Sequence, residues 1–303
     1  MDNLTHTLVG AALSEAGLKR RTPLAAATLM IGPNFPDIDV AGLLFPNSID
    51  IRRGTTHGFL ALAILPFVLA WLMGAYDRHV RRRRRPDAPP AVPRQLLLLA
   101  AISIWTHPVL DFMNIYGMRW LMPFVNEWFY ADAFFIIDLW IFLALVAAVV
   151  LARRTGSAQP ARTALVALAM YACAMLAITG VGRRAVAAVQ PHPEFMVGPT
   201  PLLPWAREII VAQPDGYRFG TWQLFGEVEL SPTVMVRGDT LDPAIAAARR
   251  APEAQGFLNW ARFPFYRVER PAGGLGETVV RIADARYVGN SGRGWASVEV
   301  RLP

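Results

Sequence analysis

Cysteine is almost missing from this chain of 303 residues: Cys173 is the single one, and it sits inside an apolar run. One thiol cannot close an internal disulfide, build a thiolate metal cluster or form a dithiol redox pair. Charge is sparse as well, at 17% of residues, where an ordinary soluble domain has about a quarter. The N-terminus, MDNLTH, lacks the basic and long apolar regions of a cleavable secretion signal, so residues near position 1 are expected to survive in the mature protein. The formal charge of +7 could suggest nucleic acid, but the basic residues fall in short clusters between apolar runs rather than along one face, which argues against it.

What the chain has in abundance is apolar sequence. The hydrophobic share is 54% and the mean hydropathy is positive, which points to a membrane protein. Three segments approach the roughly 20 residues needed to cross a bilayer: FLALAILPFVLAWLMGAY from Phe59, FFIIDLWIFLALVAAVVLA from Phe134 and ALVALAMYACAMLAITGVG from Ala164. A fourth, QLLLLAAISIWTHPVLDFM from Gln95, is as long but carries His107 and Asp111 in its second half. Two shorter stretches, Leu4 to Gly17 and Pro23 to Phe35, can be short tilted spans or a re-entrant pair.

If all six cross, one side receives Lys19, Arg20, Arg21, Arg78, Arg81 to Arg85, Arg94, Arg153, Arg154 and Arg162, and the other only Arg52, Arg53 and Arg119. The arginine-rich side is then cytoplasmic. The run RRRRRPDAPPAVPR reads as a solvated cytoplasmic loop, with anionic-lipid or nucleic-acid contact as a lesser role. From about Arg183 the grammar changes to short alternating segments split by Gly and Pro, among them YRFGTWQLFGEVEL, FPFYRVERP and WASVEVRLP, which is strand and hairpin patterning. The expected fold is an α-helical membrane bundle of four to six hydrophobic segments over residues 1–182, followed by a β-rich extracytoplasmic domain over residues 183–303. The expected location is the inner membrane, with several passes.

Charged groups in or beside lipid are costly, so they are usually paired, bound to metal or functional. Here they converge. His6 opens the first short helix, Asp37 and Asp39 close the second in IGPNFPDIDV, and His57 starts the third segment. His107 and Asp111 lie in the second half of the fourth, and Asp138 lies near the start of the fifth. All fall on the side poor in arginine. His107 and Asp111 are four apart, so a helix projects both from one face. Histidine with carboxylate and no sulfur suits zinc, manganese, iron or magnesium, and six candidate ligands allow two ions.

Each residue also has a plainer role. His6 can be a packing residue at a helix end, and PDID can be a turn with a capping aspartate. His107 with Asp111 can be an interhelical hydrogen-bonded pair. Arg53 either clamps an anionic substrate or pairs with one of the aspartates. Asp138 either orients a ligand histidine or caps a helix. His79 and His192 read as non-ligands, and Trp71, Trp105, Trp128 and Trp140 as core or interfacial aromatics.

In order, MDNLTHTLVG, PNFPDIDV, RRGTTHG, WTHPVLDFMNIYGMRWLMPF and FFIID resemble the motifs of the YdjM/YfhP-like membrane proteins described as metal-dependent hydrolases. The resemblance covers roughly residues 1 to 150. It implies His6, Asp37, Asp39, His57, His107 and Asp111 as metal ligands and Asp138 as a site residue. It also implies a distant likeness to helical zinc-dependent phospholipases C, and association of one branch with the repressor LexA. The expected function is hydrolysis of a phosphoester or lipid-linked substrate by metal-activated water, with zinc or manganese as the ion and Asp39, Arg53 and Asp138 as catalytic groups. The alternative is a non-catalytic membrane protein whose metal or salt-bridge cluster staples the helices while another surface binds a protein partner.

Overall fold

A computed structural model describes residues 1–44, 52–190, 194–271, 276–288 and 294–302; His192 lies outside them. The chain forms a helical N-terminal part and a β-rich C-terminal part. It divides into two compact units, one of Met1–Asp39, Arg53–Thr179 and Pro199–Pro204, the other of Val40–Arg52, Gly180–Gly198 and Trp205–Pro303.

In the helical part of the chain α1 (Asn3–Glu15) and α2 (Ala25–Ile31) are short, and α2 gives way to 3-10 turns running to Leu44. Next come α3 (Phe59–Tyr76), α4 (Pro93–Phe112), α5 (Leu139–Thr155) and α6 (Gln159–Val189). Three helices are long and apolar enough to cross a membrane: α3 with its continuation to Arg84, α4, and α6. The segment from Phe134 becomes a shorter helix than its composition suggests. The Asp138 carboxylate accepts hydrogen bonds from the amides of Trp140 and Ile141 and so starts α5 at Leu139, leaving Phe134 to Ile137 outside it.

Close helix packing in this unit depends on missing side chains. Gly10 on α1 lies so near α2 that an added Cβ would come within 2.0 Å of the Leu29 carbonyl oxygen, and at Gly32 a Cβ would come within 1.9 Å of Ser103 Oγ on α4. A buried layer of Val9, Ala12, Leu110, Phe134, Ile141 and Leu145 joins α1, α4 and α5. Leu62, Leu65 and Leu69 of α3 pack with Leu96, Ala100 and Ile104 of α4.

The β-rich part holds a four-stranded sheet in the order β1 (Phe195–Thr200), β2 (Leu203–Ala212), β3 (Gly216–Gln223) and β4 (Val228–Val236), with β2, β3 and β4 antiparallel in turn. A second, antiparallel, sheet contains β5 (Pro264–Glu269), β6 (Thr278–Asp284) and β7 (Ser297–Leu302). The sequence YRFGTWQLFGEVEL supplies most of β3 and the start of β4. Two short helices that strand patterning did not foresee, Pro243–Ala248 and Pro252–Trp260, each begin on a proline in the first turn, and the second buries Phe257 and Trp260.

Candidate metal centre

The site is assembled from four separate stretches of the helical unit. Asp2 caps α1, its carboxylate accepting from the Thr5 amide at 2.9 Å, which places His6 one turn inside the helix and fully buried. The 3-10 turn after α2 carries Asp37 and Asp39, and Asn34 Nδ2 ties this segment to Thr7 Oγ1 at 2.8 Å. His57 sits in the turn just before α3, its amide bonded to the Gly54 carbonyl. His107 and Asp111 project from one face of α4.

These side chains meet. His57 Nε2 is 2.9 Å from His107 Nε2, and His6 Nε2 is 3.2 Å from Asp111 Oδ1. His107 Nε2 is 3.3 Å from Asp111 Oδ2, and His57 Nε2 is 3.6 Å from Asp37 Oδ1. The His6 and His107 rings stack with centroids 4.1 Å apart. Two nitrogens on one tetrahedral ion, at about 2.0–2.1 Å each, lie roughly 3.3 Å apart, and the observed separations bracket that value. The donors form two overlapping triplets, His6 with His107 and Asp111, and Asp37 with His57 and His107. His107 belongs to both.

Tautomers sharpen the case. A carbonyl only accepts, so the 2.5 Å contact between His107 Nδ1 and the Pro33 oxygen fixes the proton on Nδ1 and leaves a lone pair on Nε2. On His57, Nδ1 lies 3.0 Å from Thr56 Oγ1 and 3.4 Å from Asp39 Oδ2, and the carboxylate calls for a proton there. Without further charge, two lone pairs would face each other across 2.9 Å, an arrangement that requires a proton or a cation between them. Burial works against charge on His57, but Asp37 and Asp39 outweigh it and hold its pKa above the ordinary histidine value. Burial also opposes charge on Asp37, yet its hydrogen bond to His57 and the nearby His107 keep it well below the usual carboxylate range. The pocket favours positive charge on His57, and the donor set fits a divalent ion.

Asp39 lies behind His57 rather than beside the converging Nε2 atoms: its Oδ2 accepts from the Arg53 amide at 2.7 Å and from Thr56 Oγ1 at 3.2 Å. That is the position of a group orienting a ligand histidine. Arg53 is buried with a positive φ of 50°, and its Nε lies 2.9 Å from Asp111 Oδ2. Its Nη1 donates to Gly117 O at 2.9 Å and to Asn114 Oδ1 at 3.3 Å, and the guanidinium lies 4.3 Å over the Tyr116 ring. Of the two roles open to Arg53 in the sequence, pairing with an aspartate is the one seen. The N-terminal amine of Met1 also contacts Asp111.

Asp138 is placed differently. Its Oδ1 caps α5 and its Oδ2 accepts from Tyr171 at 3.1 Å, with no contact to the histidine–aspartate cluster among the described residues. Asp138→Ala is expected to cost about 1 kcal/mol of stability, typical of a lost cap, with metal content unchanged; thermal melts beside elemental analysis check both. Sequence reasoning assigned no roles to Pro33, Thr56, Asn114 and Tyr116. Of these, Asn114 and Tyr116 follow Asp111 by three and five residues in HPVLDFMNIYG, and that proximity was the available signal.

A family model described as YdjM inner membrane protein matches residues 1–186. The chain belongs to this family. All the converging residues lie within the matched span, and with three long apolar helices the family assignment makes this a membrane protein. The chain is also 26% identical over 167 residues to the uncharacterized protein YfhP of Bacillus subtilis (strain 168), a match that takes in 52% of this YdjM-family chain and 48% of that relative. It therefore spans about half the length of the relative. No solved structure matches.

Proposed function

We propose that this protein is a membrane-embedded metal-dependent hydrolase acting on a phosphoester. The observation that carries the proposal is the approach of His57 Nε2 and His107 Nε2 to 2.9 Å among the Asp37 and Asp111 carboxylates. His107 Nε2 carries a single lone pair and so serves one ion, zinc or manganese by donor type, which either His6, His107 and Asp111 or Asp37, His57 and His107 would hold. Three protein donors per ion is the number that leaves a position open for water. A divalent ion there supplies Lewis acidity and acidifies a water at neutral pH. Asp39 holds the His57 tautomer, and Arg53 holds Asp111 in place; both are positioning residues in this reading. Hydrolysis forms a bond from the water oxygen to phosphorus and breaks the ester P–O bond, with a proton passing to the leaving alkoxide.

The positive-inside rule supports an extracytoplasmic centre. His57 precedes α3 while Arg81 to Arg85 follow it, and Arg94 opens α4 while His107 and Asp111 close it. If the 17-residue α5 crosses as well, Arg153, Arg154 and Arg162 fall on the arginine-rich side and the C-terminal domain is extracytoplasmic.

One observation favours a second reading, a non-catalytic staple: the three histidines are fully buried, and Arg53 and the Met1 amine already answer part of the carboxylate charge. The exposed Arg82 to Arg85 would then be the surface for a protein partner. Turnover of a chromogenic phosphodiester by zinc- or manganese-loaded protein in detergent separates the two. Activity that disappears in His107→Ala is the expected result; metal-loaded protein without turnover of this substrate or of phospholipid in vesicles leaves the staple.

A further inference from the structure

The metal donors are bracketed in sequence and in space by aromatic rings at the ends of two apolar helices. Phe59 follows His57 by two residues, Trp105 precedes His107 by two, and Phe112 follows Asp111 directly. The Phe59 ring lies between Trp105, at 6.4 Å, and Trp120, at 5.1 Å, and Trp120 lies 6.0 Å from Phe112. Aromatic clusters at the ends of membrane helices mark the boundary between acyl chains and headgroups. His57, His107 and Asp111 lie within two residues of these rings in the chain.

From this cluster the chain runs into the turn Leu121–Val125, closed by bonds from the Phe124 and Val125 amides to the Leu121 carbonyl. The turn is pinned to the start of α3. The Phe59 amide donates to the Trp120 carbonyl at 3.0 Å, and a Cβ on Gly58 would lie 2.0 Å from the Met122 oxygen, so only glycine next to His57 allows the approach. Beyond this anchor the turn presents its apolar side chains outward: Phe124 is 80% exposed, Val125 46% and Leu121 37%. A phenylalanine held this far into water forgoes about 1.5–3 kcal/mol of burial. Its continuity with the aromatic boundary and with the apolar wall of α3 and α4 identifies what covers it.

We propose that the Leu121–Val125 turn inserts into the lipid leaflet on the side of the metal centre, and that the centre's substrate is the headgroup phosphoester of a membrane phospholipid. The substrate half rests on the hydrolytic reading above; the insertion half does not. A site at headgroup depth meets the phosphates of the leaflet directly, and an inserted turn beside His57 keeps it there. A soluble phosphoester would need neither feature.

Two measurements test the proposal in the full chain. In a Cys173→Ser background, Phe124→Cys is labelled with an environment-sensitive fluorophore in phosphatidylcholine vesicles, with Asp87→Cys in the arginine loop as the aqueous reference. Strong quenching by shallow-doxyl lipid and weak quenching by iodide at position 124 is the expected pattern. Iodide quenching equal to that at position 87 overturns insertion, and so does protection from both quenchers, which would mean a protein contact. In the second measurement, metal-loaded Phe124→Asp keeps its metal but releases phospholipid headgroup about tenfold more slowly than wild type, the scale of one lost aromatic burial, with turnover of a water-soluble chromogenic phosphodiester little changed. Equal loss on both substrates overturns the lipid assignment. Wild-type protein that is loaded and inserted yet turns over neither substrate overturns the hydrolytic reading and the substrate half with it, while insertion stands.

Discussion

His107→Ala is expected to empty the metal centre, whereas His6→Ala and Asp37→Ala each spare one set of donors and keep the ion. The asymmetry follows from geometry: His107 Nε2 belongs to both donor triplets, while His6 and Asp37 each belong to one. Elemental analysis of detergent-purified protein loaded with zinc or manganese reads this directly. If wild type holds about one equivalent, as a three-donor hydrolytic site would, His107→Ala should hold none and the other two variants should keep it, bound more weakly. Because Cys173 is the single cysteine, no thiolate pair competes for the ion. Wild-type protein that takes up no metal under these conditions would end the hydrolytic reading and leave the cluster as a network of hydrogen bonds and ion pairs.

The second large effect is expected at Arg53. Its Nε faces Asp111 at 2.9 Å in a fully buried setting, and its amide holds Asp39 at 2.7 Å. Removing one member of such a pair leaves an unanswered charge and costs about 3–5 kcal/mol. Arg53→Ala should therefore lower the melting temperature sharply even in metal-free protein. Arg53→Lys should not restore it, because an ammonium cannot serve Asp111, Asn114 and the Gly117 carbonyl in the plane that lies over Tyr116. A substrate clamp would behave in the opposite way, with unchanged stability and a raised KM. Melting curves of metal-free wild type, Arg53→Ala and Arg53→Lys decide between these outcomes.

Much of the centre was legible in the sequence because ionisable residues are rare in apolar segments and therefore stand out. His6, Asp37, His57, His107 and Asp111 were found on that ground, and the structure brings their side chains together. What the sequence left open was the order of contact. Whether Asp39 faces the centre or the back of His57 depends on the 3-10 path after α2, which no periodicity announces. Asp138 looked like the other carboxylates, and only its bonds to the amides of Trp140 and Ile141 show it starting a helix. Those bonds also explain why an apolar run from Phe134 yields a helix only from Leu139. In the C-terminal part the strands of YRFGTWQLFGEVEL were readable from alternation and turn residues. The helices at Pro243 and Pro252 were not, since six- and nine-residue segments carry too few turns to display a helical repeat.

Helix α2 contributes no side chain to the centre and, with the sequence AAATLMI, has no titratable group at all. Yet its carbonyl at Leu29 meets Gly10 in backbone contact, and the turn that leaves it abuts Ser103 at Gly32. It is thus the spacer block against which the helix bearing His6 and the helix bearing His107 are both gauged. A search for inactivating substitutions should recover bulky replacements at Gly10 and Gly32 and along the chemically silent face between them, mimicking loss of the ligands without touching one.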